Sequence, residues 1–189
     1  MESKTRCFWC SNHPLYIQYH DEEWGKPVYD DAKLFEMLLL ESFQAGLSWF
    51  TILVKRENFK QAFSNFDVQA IAKYGDDKIA ELLQNDGIIK NKLKIKASIT
   101  NALAFIAIQK EFGSFSKYLW SFTNNQIVNN SHITKQHFYV TTPISDAISK
   151  DLKKRGFKFL GSTTVYAYMQ AIGMVNDHTE DCFVRTASK

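Results

Sequence analysis

The run Leu82-Leu83-Gln84-Asn85-Asp86-Gly87-Ile88-Ile89-Lys90 sets the fold class. Leu82 and Leu83 close a short helical pattern, Asn85-Asp86-Gly87 has the composition of a tight turn, and a long helical pattern begins near Lys90 and runs to about Glu111. Upstream, Asp67 and Asp76 occupy the position of N-caps for two short helices. A further helix runs from about Ser48 through Ile52 and Leu53 toward Phe59, and another starts at about Ala32, capped by Asp30 or Asp31, until Gly46 interrupts it. Pro14 suits a first-turn position and opens a short segment that carries Tyr16, Tyr19 and His20 and ends near Gly25-Lys26-Pro27. Downstream, residues 123–142 shift to Asn, Gln, Ser and Thr, with a weak alternation in Gln136 to Val140 that suits a short strand or an irregular loop. Helix signals return from Ser145 to a Gly156 stop, and again from about Ser162 to Gly173. With 8 Gly and 3 Pro in 189 residues, the chain lacks the turns of a many-stranded sandwich or barrel. The expected class is all-α.

The length is enough for one domain with a small lobe and a buried core, and 45% hydrophobic with 23% charged residues is a globular composition. The longest apolar run, Ala102 to Ile108, is far shorter than the roughly 20 residues of a membrane span. Three cysteines, and a charged opening with no apolar stretch behind it, predict a reduced, cytoplasmic protein. The balance of 23 Lys+Arg against 20 Asp+Glu gives +3 and neither demands nor excludes nucleic acid.

Cysteines and histidines gather at the two ends. His178-x-x-x-Cys182 places two ligand atoms one helical turn apart, within reach of one ion. The N-terminal segment can supply two more ligands, as Cys7 with Cys10 or as Cys7 with His20, and spacing alone leaves both pairings open. Cys10 and His13 equally suit ordinary surface or core positions. Four protein ligands leave no room for water, so such an ion is structural.

Trp9, Tyr16, Tyr19, Trp24 and Trp49 crowd into the first fifty residues, and each by itself is compatible with a hydrophobic core. Glu41 stands apart. It lies three, four and seven residues from Leu38, Met37 and Leu34, which puts a carboxylate on an apolar helix face where an ionised acid is costly unless paired. Either backbone amides satisfy it, or it points into an aromatic pocket fitted to a planar, hydrogen-bonding, cationic ligand.

Several segments together carry a family likeness. They are Arg6-Cys7-x-Trp9, Pro14-Leu15-Tyr16-Ile17-x-Tyr19-His20-Asp21-x-Glu23-Trp24-Gly25 and Leu34-Phe35-Glu36, then Leu40-Glu41-x-x-Gln44-Ala45-Gly46-Leu47-Ser48-Trp49 and Lys55-Arg56-Glu57-Asn58. Gly87-Ile88-Ile89, Lys154-Arg155-Gly156-Phe157-Lys158-Phe159 and Asn176-Asp177-His178-x-x-x-Cys182 complete the set. Spread from Arg6 to Cys182, they resemble the bacterial DNA-3-methyladenine glycosylase I (Tag) family of the helix-hairpin-helix glycosylase superfamily.

The resemblance implies a helical helix-hairpin-helix domain over 31–109 and a small terminal domain from 1–30 and 110–189, stapled by one structural zinc on Cys7, His20, His178 and Cys182. It implies a monofunctional glycosylase, with alkylated double-stranded DNA as partner, that flips out 3-methyladenine, cuts its glycosidic bond and leaves an abasic site. Glu41 would contact the base, Trp49 would stack on it, and Tyr16, Trp9, Tyr19 and Trp24 would build the wall. Gly46 and Leu47 occupy the wedge position. Gly87 and Lys90 belong to the hairpin that offers amides to a phosphate, with Lys92, Lys94, Lys96 and the Lys153-Lys154-Arg155 run as further phosphate contacts. For that last run, cations at a helix C-terminus are an equal reading. A monomer is expected.

Overall fold

Most helices begin where a side chain can take an orphan backbone N–H. In the computed structural model, which describes residues 4–187, Asp30 accepts from the Lys33 N–H at 2.8 Å and starts α2 (Asp31–Gln44). His13 caps α1 (Pro14–Glu22), Ser48 caps α3 (Trp49–Ala62), Asp67 caps α4 (Val68–Ile71) and Asn91 caps α6 (Lys92–Phe112). Thr142 and Ser145 form a reciprocal capping box on α8 (Pro143–Lys154). Asp76 departs from its expected role: α5 (Asp76–Gln84) starts on it, after Gly75, and no side chain caps that end.

Other elements escaped the pattern. A single 3-10 turn, Ser64–Phe66, holds three consecutive residues at positive φ. A short helix, α7 (Phe115–Ser121), follows α6 because Gly113 stops the long helix in the left-handed region and Ser114 caps the next. Asp31, the alternative cap for α2, instead accepts from the Phe115 and Ser116 N–H groups and from Gln109, joining the starts of α2 and α7. Gln136 to Val140 carries no strand. Among the described residues the two strands are β1 (Val128–Asn129) and β2 (Val175–Asn176), paired in parallel, with α9 (Ser162–Ala171) before β2 and α10 (Phe183–Ala187) after it. That pairing ties the polar excursion to the C-terminal segment.

The core forms around α2, whose residues from Leu34 to Phe43 are nearly all buried because the helix packs against α3, α6, α7 and α9. Phe105 stacks on Phe115 at 4.0 Å, and Phe43, Phe59 and Phe63 interlock on the other side. Among its buried residues α2 carries the Ser42 hydroxyl, bonded to the Leu39 carbonyl, and one carboxylate, Glu41. Among the described residues no helix is long and apolar enough to cross a membrane.

Candidate active site

Four side chains from distant parts of the chain converge first. Cys7, His20, His178 and Cys182 are all buried, and their ligand atoms lie within 4.8 Å of one another. The His178 Nδ1 atom is 3.4 Å from Cys7 Sγ and 3.5 Å from Cys182 Sγ, and His20 Nε2 is 3.5 Å from Cys182 Sγ. Zinc bonds of about 2.3 Å to sulfur and about 2.0 Å to nitrogen at tetrahedral angles place S and N about 3.5 Å apart. The donor set therefore fits a metal ion. Hydrogen bonds centred on Cys182, together with burial, hold the Cys7 thiol far above its usual range, while bonds from Cys7, His178 and His20 pull the Cys182 thiol down. Asp21 holds the other ring nitrogen of His20 at 2.8 Å and is itself clamped by a bidentate Arg6, whose hydrogen bonds keep Asp21 below the usual carboxylate range. Cys10 takes no part, since its thiol faces the carbonyls of Ser11 and Tyr16.

Next to this cluster is a cavity of about 300 Å³, at the small end of the range for ligand sites. Trp9, Tyr19, Trp24 and Trp49 line it, and the rings brace one another: Trp9 meets Trp24 at 4.8 Å, and Tyr19 meets Trp49 at 5.4 Å. Tyr16 does not line the cavity. It packs on Trp9 at 5.3 Å and on Phe50 at 5.5 Å, one layer behind the wall, because the turn of α1 that puts Tyr19 inward carries Tyr16 toward α3.

Glu41 also reaches the cavity. It is 3% exposed, its Oε2 has no hydrogen-bond partner, and burial pushes its carboxyl up to about 8. The alternative of an acid satisfied by backbone amides is thereby removed for that oxygen. A buried acid without a protein partner leaves one oxygen free to receive a hydrogen-bond donor from the cavity. The Trp49 Nε1–H is a second buried polar atom without a partner in the same wall.

Sequence reasoning missed most of this cavity's lining. Phe8, Ile133, Phe138, Tyr139 and Val140 close it from the irregular segment 130–142 and from the N-terminal segment before α1, with Phe8 and Phe138 in ring contact at 5.8 Å. Asp177 enters from the end of β2 and accepts hydrogen bonds from Tyr166, Asn130 and Gln170. The signal for Asp177 was its neighbour His178. Nothing local marks the aromatic loop.

Immediately after Glu41, α2 ends and a turn carries Gly46 and Leu47. Gly46 sits at φ +83°, where a side chain is strained, and Leu47 is exposed. The Gln44 side chain donates to the Leu47 carbonyl at 2.6 Å and also lines the cavity. The second turn, between α5 and α6, is arranged differently from expectation. The Gly87 N–H is used by Asn85 Oδ1 at 2.8 Å, so it is not the free amide that the family likeness implies; Gly87 is there because Asn58 of α3 presses against it. The N–H groups of Ile89 and Lys90 take no partner among the described residues. Lys90 pairs with Asp86, and Lys55 donates to the Asp86 carbonyl. Lys94 is no surface phosphate contact either. It is buried and gives its ammonium to the carbonyls of Phe43 and Ala45. Arg155 is likewise committed, to Glu111 and Asp151, which leaves Lys153 and Lys154 as the exposed cations of that run.

A family model described as methyladenine glycosylase matches residues 9–185. The chain is 46% identical over 183 residues, 97% of its own length and 99% of the relative's, to a protein of Haemophilus influenzae named DNA-3-methyladenine glycosylase. A crystal structure of 3-methyladenine DNA glycosylase I (TAG) superposes with a TM-score of 0.92 at 49% identity, covering 95% of this chain and 98% of that one. A variant of such an enzyme, solved in complex with 3-methyladenine, superposes with a TM-score of 0.91 at 36% identity, covering 94% and 96%.

Proposed function

The chain belongs to the methyladenine glycosylase family, and from that membership we propose that it excises 3-methyladenine from alkylated DNA, hydrolysing the N-glycosidic bond and leaving an abasic site. Relatives that carry the enzyme's name, and one solved with 3-methyladenine, support the substrate. The observation in this chain that carries the reading is Glu41, an unpartnered acid inside an aromatic cavity.

The chemistry follows from the charge of the lesion. Methylation at N3 makes the purine a cation while it is attached to the sugar, so its bond to C1′ is already weak. When that bond breaks, the electron pair goes to the base, water adds to C1′ and a proton is lost to solvent; the base departs neutral. The protein's work is to extract and recognise the base. Trp49 stacks on it, Trp9, Tyr19 and Trp24 offer the negative faces of their rings, and Tyr16 supports Trp9 from behind. Glu41 is neutral in the empty site and becomes the counter-ion when the cation enters, accepting a hydrogen bond from its amino group. The reading is of a monofunctional glycosylase without a Schiff-base step; among the described residues no lysine lines the cavity.

Leu47, presented by the Gly46 turn, enters the gap that the flipped nucleotide leaves. The Asn85–Lys90 turn acts as the hairpin of a helix-hairpin-helix unit, offering the Ile89 and Lys90 amides to a phosphate, with Lys90, Lys92 and Lys96 beside it. One zinc held by Cys7, His20, His178 and Cys182 would staple the terminal part of the chain, 1–30 and 110–189, to the helical part, 31–109, and would supply rigidity alone. The protein works as a cytoplasmic monomer.

The test is liberation of 3-methyladenine from methylated duplex DNA by the folded, metal-loaded protein. Tight binding of an abasic analogue with no base released would make it a binding module, and no release at all overturns the assignment.

A further inference from the structure

Among the described residues Lys94 is the buried lysine. Its Nζ donates to the Phe43 carbonyl at 2.8 Å and to the Ala45 carbonyl at 2.7 Å, and it lies 5.9 Å from the centroid of Phe159. No carboxylate neutralises it among the described residues. Burying an ammonium is costly, and burial lowers its pKa. A side chain retained at that cost for packing alone would be better apolar. What it grips is specific. The two carbonyls end α2, where a cation meets the negative end of the helix, and they lead directly into the Gly46–Leu47 turn. Its own backbone N–H is taken by Asn91, the cap that ends the Asn85–Lys90 turn. One residue therefore connects, through two hydrogen bonds at one end and one at the other, the two loops that the proposed function puts on DNA.

We propose that Lys94 is a positioning residue for base extrusion: its ammonium fixes the Gly46–Leu47 turn relative to the Asn85–Lys90 turn, so that a phosphate held at one sets where the wedge enters at the other. Lys94 touches neither the cavity nor the base. The proposal rests on the glycosylase reading, and wild-type base release is the control that separates the two: a wild type that frees no 3-methyladenine sinks the function, not the brace.

The experiment uses the metal-loaded full chain with Lys94→Met, Leu47→Ala, both together, and Lys94→Arg. Single-turnover release from methylated duplex DNA is expected to fall about ten-fold or more with Lys94→Met, while affinity for free 3-methyladenine, read by tryptophan fluorescence, stays within two-fold. Lys94→Arg, which keeps donors for both carbonyls, is expected to recover most of the rate. If Lys94 acts through the wedge, the double variant is no slower than Leu47→Ala alone within two-fold. Multiplying effects, an unchanged release rate, or a parallel loss of free-base affinity would overturn the proposal. Lys94→Gln carries the same comparison if the methionine variant does not fold.

Discussion

Trp24 and His178 meet edge to face with ring centroids 4.7 Å apart, so one wall of the aromatic cavity leans on a member of the Cys/His cluster. Trp9 packs on His20 in a tilted contact, ring centroids 5.2 Å apart. A structural ion held here would thus act on recognition through packing, without touching the reacting bond.

Removal of the metal, or Cys182→Ala, is therefore expected to lower the melting temperature and weaken binding of free 3-methyladenine together, whereas Cys10→Ala leaves both unchanged and keeps one metal per chain. Metal analysis with thermal melting checks this. Equal metal loss in the two cysteine variants would move the site to the other pairing.

The position of Glu41 has a consequence for stability. Its carboxyl is raised from 4.5 to about 8 by burial, so between those values the folded protein holds a proton that the unfolded chain has lost. Stability from this group is complete below pH 4.5 and is lost as pH rises through 8. From pH 6.5 to 9 the wild type is expected to lose about 2 kcal/mol relative to Glu41→Gln. Denaturant melts of both proteins at the two pH values measure the difference, and parallel curves would show that the acid is ionised in the empty site.

Gly87 is tested by addition of a methyl group. A Cβ there would stand 3.0 Å from both Cβ and Cγ of Asn58 and 2.9 Å from Asn85 Oδ1. Gly87→Ala is expected to cost about 1–2 kcal/mol and to weaken duplex binding by shifting the turn, with free-base affinity retained. An alanine variant as stable as wild type would show that Asn58 yields freely.

Much of this was legible from residues close in sequence. Asp30, Ser48 and Asp67 stand where their helices begin because a cap acts within three residues, and Glu41 announces itself because three apolar neighbours share its helix face; Asn91, the cap of α6, went unread because Lys90 before it already fits a helical pattern. The choice of His20 over Cys10 needed the family likeness, since spacing treats them alike, and the fold then separates them by burial. The aromatic wall from Phe138 to Val140 was illegible: an irregular segment has no period, and contacts distant in sequence, the pairing of β1 with β2 and the Phe8–Phe138 ring contact among them, hold it at the cavity. Lys94 was misread for a related reason. A lysine beside two others on a helix looks like a phosphate contact until the end of α2 packs over it.

The most direct measurement of the central claim is the single-turnover release of 3-methyladenine from methylated duplex DNA by the wild type and by Glu41→Gln, with free-base affinity measured in parallel. Loss of the acid that faces the cavity without a partner is expected to slow release about 10- to 100-fold, and to weaken binding of the base, in a protein that folds as well as or better than the wild type. A glutamine variant that releases the base at the wild-type rate would contradict the account.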